Sequence, residues 1–197
     1  MPETNYQERK NAKLVFAAEY EDATHTERSG DDQRAARLML LPSGDWANRI
    51  FFIGTVTQAN TKEDKNGEDY VDGRVRGPTG EFSVLAGSQN KLAAQRLKHI
   101  EPPALVAITG KARTYEGYAT VNIEEVSRAD PALYDKWVEA TASETASRIR
   151  TFGDDDNDAA RMAVEQYEPD MDKYRQAGIE AVDGTIEEIL ESNAVEA

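Results

Sequence analysis

Between Trp46 and Ser127 apolar and polar residues alternate in five short runs: Arg49 to Val56, Tyr70 to Arg76, Glu81 to Ala86, Ala104 to Ala112 and Tyr118 to Val126. A period of two in segments rich in Val, Ile, Phe and Thr predicts strands. Between the third and fourth runs, Gln89 to Ile100 carries Leu92, Ala93, Leu97 and Ile100 at helical spacing and is closed by Pro102 and Pro103. Three strands, a helix and two more strands within about eighty residues is the order of an OB-fold, a partly open five-stranded barrel that often binds oligonucleotides.

The alternation also assigns faces. In the first run Ile50, Phe52, Gly54 and Val56 alternate with Phe51, Ile53 and Thr55, so both faces are apolar near its start. Gly54 in mid-strand suits a bulge or a tight bend. Val71, Gly73 and Val75 point inward in the second run, and Tyr70, Asp72, Arg74 and Arg76 outward. Phe82, Val84 and Ala86 oppose Glu81, Ser83 and Leu85 in the third, while Val106, Ile108 and Gly110, then Val121 and Ile123, continue the core. Phe52 and Phe82 are expected inside it. Two loops take the places that clamp ligand in an OB-fold: Asn60 to Asp69 (NTKEDKNGED), with an Asn-Gly turn signal, and Lys111 to Tyr118 (KARTYEGY).

Outside the barrel the patterns are shorter. Leu14 to Glu21 suits a short helix or strand, Thr24 to Gln33 is polar and turn-like, and Arg37 to Leu41 reads as an extra strand that pairs with the barrel and covers an edge. Asp130 and Pro131 form a helix start, after which Leu133, Trp137, Val138, Thr141, Thr145 and Ile149 recur at three- and four-residue steps. Beyond the acidic break at Asp154 to Asp158 lie two helical patterns: one to Arg175, interrupted at Pro169, and one from Gly178 or Thr185 to Leu190. The chain therefore divides into an N-terminal extension (1–42), the barrel (43–128), an amphipathic helix (129–151) and an acidic helical tail (152–197). The fold class is mainly β with C-terminal helices.

Charge sharpens this picture. The net charge is −14, but it is spread unevenly. Residues 1–42 hold 6 basic and 8 acidic side chains, residues 43–128 hold 11 of each, and residues 129–197 hold 6 and 18. The barrel is neutral and the C-terminal third carries the excess acid. Bulk acidity of this kind fits a salt-loaded cytoplasm, where at about 1 M salt a Debye length of roughly 3 Å lets tail and ligand hardly sense each other. No apolar run approaches a membrane span, the polar N-terminus lacks a signal-peptide core, and a cytoplasmic location is expected. There are no cysteines, which excludes disulfides, thiolate metal sites and a cysteine nucleophile.

The candidate chemistry is that of a single-strand nucleic-acid platform, in which bases stack on aromatic faces while Arg and Lys follow the backbone. The residues that suit it are Arg49 and Phe51 on the first strand, Tyr70, Arg74 and Arg76 on the second, and Lys111, Arg113, Tyr115 and Tyr118 around the second loop. The same residues also suit a solvated strand face and a tyrosine-lined barrel rim. Trp46 suits packing at the barrel mouth. Trp137, a large aromatic on a helix outside the barrel, needs a surface to bury it, either its own barrel or a partner. Asp154, Asp156, Asp158 and Glu165 match the carboxylate spacing of a calcium loop, but Ala159 replaces the required glycine, and an acidic break that caps the next helix is expected instead. An enzyme is not supported: there is no phosphate loop, nucleophile elbow or zinc motif, and His99 is placed to meet the last helical carbonyls. No cofactor is implied.

The runs Trp46-Ala47-Asn48-Arg49-Ile50-Phe51-Phe52-Ile53-Gly54-Thr55, Gly77-Pro78-Thr79-Gly80-Glu81-Phe82, Ile100-Glu101-Pro102-Pro103-Ala104 and Gly110-Lys111-Ala112-Arg113-Thr114-Tyr115-Glu116 resemble the haloarchaeal proteins associated with replication protein A. The resemblance covers roughly residues 14–150. It implies an accessory OB-fold subunit of an archaeal single-stranded-DNA-binding complex, serving replication and repair beside the large subunit of replication protein A. By analogy with small OB subunits of such complexes, it also implies that Leu133, Tyr134, Trp137, Val138 and Ile149 dock that partner. The alternative is an interaction module that stabilises a larger DNA-binding subunit without touching DNA.

Overall fold

A computed structural model describes residues 11–30 and 35–184. The N-terminal part supplies β1 (Lys13–Leu14), the single turn α1 (Ala17–Tyr20), β2 (Thr26–Arg28), β3 (Arg37–Leu41) and β4 (Asp45–Ala47). The barrel follows as β5 (Arg49–Glu63), β6 (Asp69–Gly77), β7 (Gly80–Ala86), α2 (Lys91–Lys98), β8 (Ala104–Tyr115) and β9 (Tyr118–Arg128). Its strands join in the order β5-β6-β7-β9-β8, and β8 pairs back on β5 to close it. Only the β7–β9 pairing in this closed ring is parallel. This is the OB-fold.

Closure depends on β5, which pairs with β8 from Arg49 to Val56 and with β6 from Thr55 to Glu63. Where it changes partner the strand must come very close to β6. A Cβ at Gly54 would lie 2.5 Å from the Arg76 carbonyl oxygen, so a glycine is required there. The bulge itself sits just beyond, between Val56 and Gln58, and adds the local bend. Inside, Ile50, Phe52, Val75, Phe82, Val84, Val106, Ile108 and Val121 are buried, and the Phe52 and Phe82 rings stack at 3.9 Å. Helix α2 touches β5, β6, β7 and β9 and plugs one end. It does so with Ala93 and Leu97, one turn apart, capped by Asn90. Leu92, part of the same helical pattern in the sequence, lies about a quarter-turn around the helix and is exposed.

The strand expected at Arg37–Leu41 forms, but not on the barrel ladder. It pairs with β2 and β4 in a separate three-stranded sheet, because the edge of β5 that β6 leaves open is taken by β1. The polar Thr24–Gln33 stretch contributes β2 to that sheet. It is β1 that adds to the barrel, parallel to β5, with Lys13 opposite Ile50 and Leu14 opposite Phe51. Trp46 lies in β4, partly buried, 6.2 Å from the His25 ring.

Three helices complete the described chain: α3 (Pro131–Thr151), α4 (Asp158–Tyr167) and α5 (Met171–Asp183). The Asp130 carboxylate accepts from the Leu133 amide at 2.8 Å, and Asn157 caps α4 through the Ala160 amide at 2.9 Å. Helix α5 continues through the buried Gly178 instead of breaking before it. The helical pattern expected at Thr185–Leu190 lies outside the described residues. Among the described residues, no helix is long and apolar enough to cross a membrane, and no group of three His, Asp or Glu side chains is arranged to hold a metal ion.

A buried ion pair ties these layers together. Arg148 of α3 donates to the Glu19 carboxylate at 2.9 Å, to Ser43 Oγ at 2.8 Å, to Thr145 Oγ1 at 3.1 Å and to the Leu14 carbonyl at 3.2 Å. Ser43 in turn donates its hydroxyl to Glu19. Removing one partner of such a pair strands a buried charge, so Glu19→Ala is expected to destabilise the fold by about 3–5 kcal/mol. The double change Glu19→Leu with Arg148→Met should recover most of that loss. Equilibrium denaturation of the three proteins tests this, and a single variant as stable as wild type would refute it.

Candidate nucleic-acid interface

The outward face of β6 and β7 forms the floor of a groove, and the hairpins β5–β6 and β8–β9 form its walls. Both hairpins are longer and more regular than the sequence suggests. The NTKEDKNGED segment is mostly ladder: Asn60, Thr61, Lys62 and Glu63 pair with Asp72, Val71, Tyr70 and Asp69. Polarity does not interrupt it, because both faces of this ribbon meet water and the backbone bonds need no apolar alternation. The turn is confined to residues 64–68, where Asp64 Oδ1 accepts the amides of Asn66 and Glu68 at 2.8 and 2.9 Å. These bonds hold the Asp64 carboxyl below its usual range.

KARTYEGY is likewise a hairpin and not an open loop. Tyr115 pairs with Tyr118 across the two-residue turn Glu116-Gly117, whose φ values are 51° and 86°. Two positive φ angles belong to a type I′ turn, whose twist matches that of the strands. Tyr115 and Tyr118 are 60% and 75% exposed and stand at the rim.

The groove encloses about 1150 Å³. Of the expected contact residues, Tyr70, Arg74, Tyr115 and Tyr118 line it together. Lys62, Lys65, Ser83 and Leu85 join them. Lys62 and Lys65 are hidden from sequence reasoning when this segment is taken as a loop. Leu85, an apolar residue on the outward side of a strand, was the available signal. Charge in the groove is unfavourable to phosphate: Lys62, Lys65 and Arg74 face Glu21, Glu63, Asp64, Asp72, Glu81 and Glu116. Lys62 is bonded to Asp72, which raises its pKa. Arg74 bonds Ser83 and lies 3.8 Å from Glu81.

A second cleft of about 400 Å³ shares Asp64, Tyr70 and Leu85 with the groove and leads to Asn122, Lys111 and Glu124. The strand register explains the continuity. Asp72, Leu85, Asn122, Lys111 and Arg49 are successive partners across five strands, so they form one row around the outside of the barrel. At its end Arg49 holds Glu124 through two bonds of 2.5 and 2.9 Å, which raise the arginine's pKa. Lys111 lies 3.8 Å from the same carboxylate.

The remaining expected contacts lie elsewhere. Arg76 shares the outward side of β6 but does not line the groove. Phe51 is half-buried beside β1, and its carbonyl accepts from Trp137 Nε1 at 3.3 Å. It is covered because β1 and α3 lie over that part of β5. Arg113 is partly buried on β8, next to the groove and outside it. His99 Nδ1 lies 2.6 Å from the Gln95 carbonyl at the end of α2.

The five residues expected to dock a partner separate sharply. Trp137 is only 3% exposed, and Tyr134 and Val138 are equally buried in the chain's own core. Trp137 meets the Phe16 ring edge-on at 5.7 Å. The surface that this helix needed is its own barrel and N-terminal segment, so these three side chains are not available to a partner. Burial also raises the Tyr134 phenol's pKa. Leu133 is 42% exposed, and Ile149 lines an apolar cleft of about 610 Å³ between α3 and α5, with Ile179 and Val182.

No protein-family model and no curated protein sequence matches the chain. Among solved structures the fold is similar to a chain of the S. pombe Stn1–Ten1 complex, with a TM-score of 0.58 at 12% identity, over 72% of this chain and 96% of that one. A chain of a replication protein A heterotrimer bound to ssDNA aligns with a TM-score of 0.48 at 13% identity, over 71% and 98%. PriB from Ralstonia solanacearum aligns at 0.36 and 14%, over 42% and 98%. At these identities the likeness to the Stn1–Ten1 chain establishes the fold.

The hairpin geometry makes a direct prediction. Nothing lies within 4 Å of a Cβ added at Gly117, so Gly117→Ala meets only the left-handed backbone penalty of roughly 1–2 kcal/mol. A loss of that size on denaturant titration is expected, and no loss would contradict the type I′ turn.

Proposed function

We propose that this chain is a non-catalytic, single-stranded-DNA-binding OB subunit whose groove takes unpaired bases. The observation that carries the reading is the convergence of Tyr70, Tyr115, Tyr118 and Leu85 in one open groove on the β6–β7 face. That face and those two hairpins are where OB-folds hold oligonucleotides. Stacking on such a platform is worth roughly 1–3 kcal/mol per base and tolerates any sequence. The finer assignment is to an accessory subunit of an archaeal replication protein A-like complex acting in replication and repair. It rests on the sequence resemblance and the acidic bias, and the fold likeness to a chain from a two-protein complex supports an assembly role. The large subunit would dock on the outer surface of the helical layer, where Leu133, Ile149, Ile179 and Val182 are accessible.

One observation favours the rival reading, an interaction module that leaves DNA to its partner: carboxylates outnumber basic side chains two to one in the groove. Fluorescence anisotropy of a labelled thymidine oligonucleotide, titrated with the purified chain in molar potassium chloride, separates the two. Saturable binding is expected. Tyr70→Ala, Tyr115→Ala and Tyr118→Ala should each weaken it by about 5- to 150-fold, the equivalent of one lost stack. A folded chain that does not bind would leave the interaction module as the function, and three variants that bind like wild type would overturn the groove as the place where bases are held.

A further inference from the structure

The groove supplies stacking surface but little free positive charge, so a strand's phosphates need another place. Two cross-strand pairs set like charges directly opposite each other on the neighbouring surface. Arg28 faces Arg37 across β2–β3, and Arg49 faces Lys111 across β5–β8. Directly opposed like charges destabilise a sheet. The two pairs are linked physically: the Asn48 side chain donates to the Arg37 carbonyl at 2.7 Å, and the Asn48 carbonyl accepts from the Ala112 amide at 3.0 Å. Arg113 stands between them, partly buried, with its guanidinium bonded at 2.6 Å to the Ala112 carbonyl. Among the described residues, Glu124 is the carboxylate that ion-pairs in this patch, and it is shared by Arg49 and Lys111.

We infer that Arg28, Arg37, Arg49, Lys111 and Arg113 form a phosphate track for a nucleic-acid strand, entered from the groove through Leu85, Asn122 and Lys111. The inference rests on the reading of the groove as a base-stacking platform and divides the footprint in two. Bases are held on β6, β7 and the hairpin tyrosines, while the backbone turns onto the β8–β5 side and the small sheet beyond it. The groove's acidity then works in favour of this path, since it repels phosphate from the stacking floor and leaves the patch as its destination. Burial first, and then the nearby charges of Arg37 and Arg49, hold the Arg113 guanidinium below its usual pKa, with Tyr20 and Glu124 opposing them in part. A bound phosphate would add counter-charge.

Salt dependence distinguishes the two halves, because each phosphate contact on a single strand contributes about 0.7 to the slope of log K against log salt. Anisotropy titrations of a labelled thymidine oligonucleotide of about 20 nucleotides, across roughly 0.2–2 M potassium chloride to read counterion release, would compare wild type, Arg28→Gln/Arg37→Gln, Arg113→Gln and Tyr115→Ala. Arg28 and Arg37 are exposed, so their double variant should fold even where Arg113→Gln does not. It is expected to lose about tenfold in affinity at the lowest salt and to flatten the slope by about 1.4, two contacts' worth. Tyr115→Ala should lower affinity at every salt concentration without changing the slope. Wild-type affinity and slope in the folded arginine variants, with Tyr115→Ala still weakened, would overturn the track and leave the groove reading intact. No binding by wild type would overturn both.

Discussion

A strand that serves two neighbours at once fixes this molecule. β5 is bonded to β8 along its first half and to β6 along its second, and the handover falls at Thr55 and Val56, which pair with both. Three local features permit the crossing. Gly54 lets the β6 backbone approach, the bulge after Val56 turns the strand, and Thr55 sits in the crossing with a buried hydroxyl that has no partner among the described residues. An unsatisfied buried hydroxyl costs about 1–3 kcal/mol, which the closed ladder and its apolar interior outweigh. Closure gives every barrel strand a partner on both sides, which limits the free edge that another chain could pair with. It also sets the row that runs from Asp72 to Arg49, so the placement of the outward side chains follows from the same constraint as stability.

The outer layer then decides which part of that outward surface stays open. The Arg148 and Glu19 pair clamps α3 to the N-terminal segment and to the β3–β4 turn, and Leu14 is bonded twice to α3, its carbonyl accepting from Arg148 and its amide donating to Glu144. With β1 held in place, the Phe51 side of β5 is covered and Trp137 is buried against Phe16. Among the described residues, no such cover lies over the β6–β7 side. Glu21, following α1, reaches the groove margin and accepts the Glu81 amide at 2.8 Å. The N-terminal segment therefore closes one side of the barrel and borders the site on the other.

The barrel was legible because alternation survives wherever one strand face is buried and the other is wet. Val71, Val75, Phe82, Val84, Val106, Ile108 and Val121 all fall inside as their period demands, and the Asp130-Pro131 start of α3 follows from capping chemistry alone. What escaped the sequence lies where that contrast vanishes. The β5–β6 ribbon beyond the barrel is wet on both faces and so resembles a loop. β2 is three residues long and polar, and β1 is two residues long. Trp137 was ambiguous for a different reason: periodicity shows that a helix face is apolar but not whose surface covers it. At the site, the tyrosines were visible as residue types, whereas their meeting with Lys62 and Leu85 depends on a register between strands that no local pattern encodes.

Charge then assigns different work to the two ends of the outward row. At the Asp72 end Lys62 and Arg74 are paired with Asp72 and Glu81, carboxylates outnumber basic side chains, and a phosphate approaching either residue would have to displace an existing partner. Such an exchange gains little, so affinity there must come from burial and stacking, which salt does not screen. At the Arg49 end two basic residues divide one carboxylate, and the adjoining sheet adds opposed arginines. That end retains the greater electrostatic attraction to exchange for counterions. The proposed path reconciles a net charge of −14 with a polyanionic ligand: bases would rest where the protein is acidic and aromatic, and phosphates would leave toward the side where it is basic.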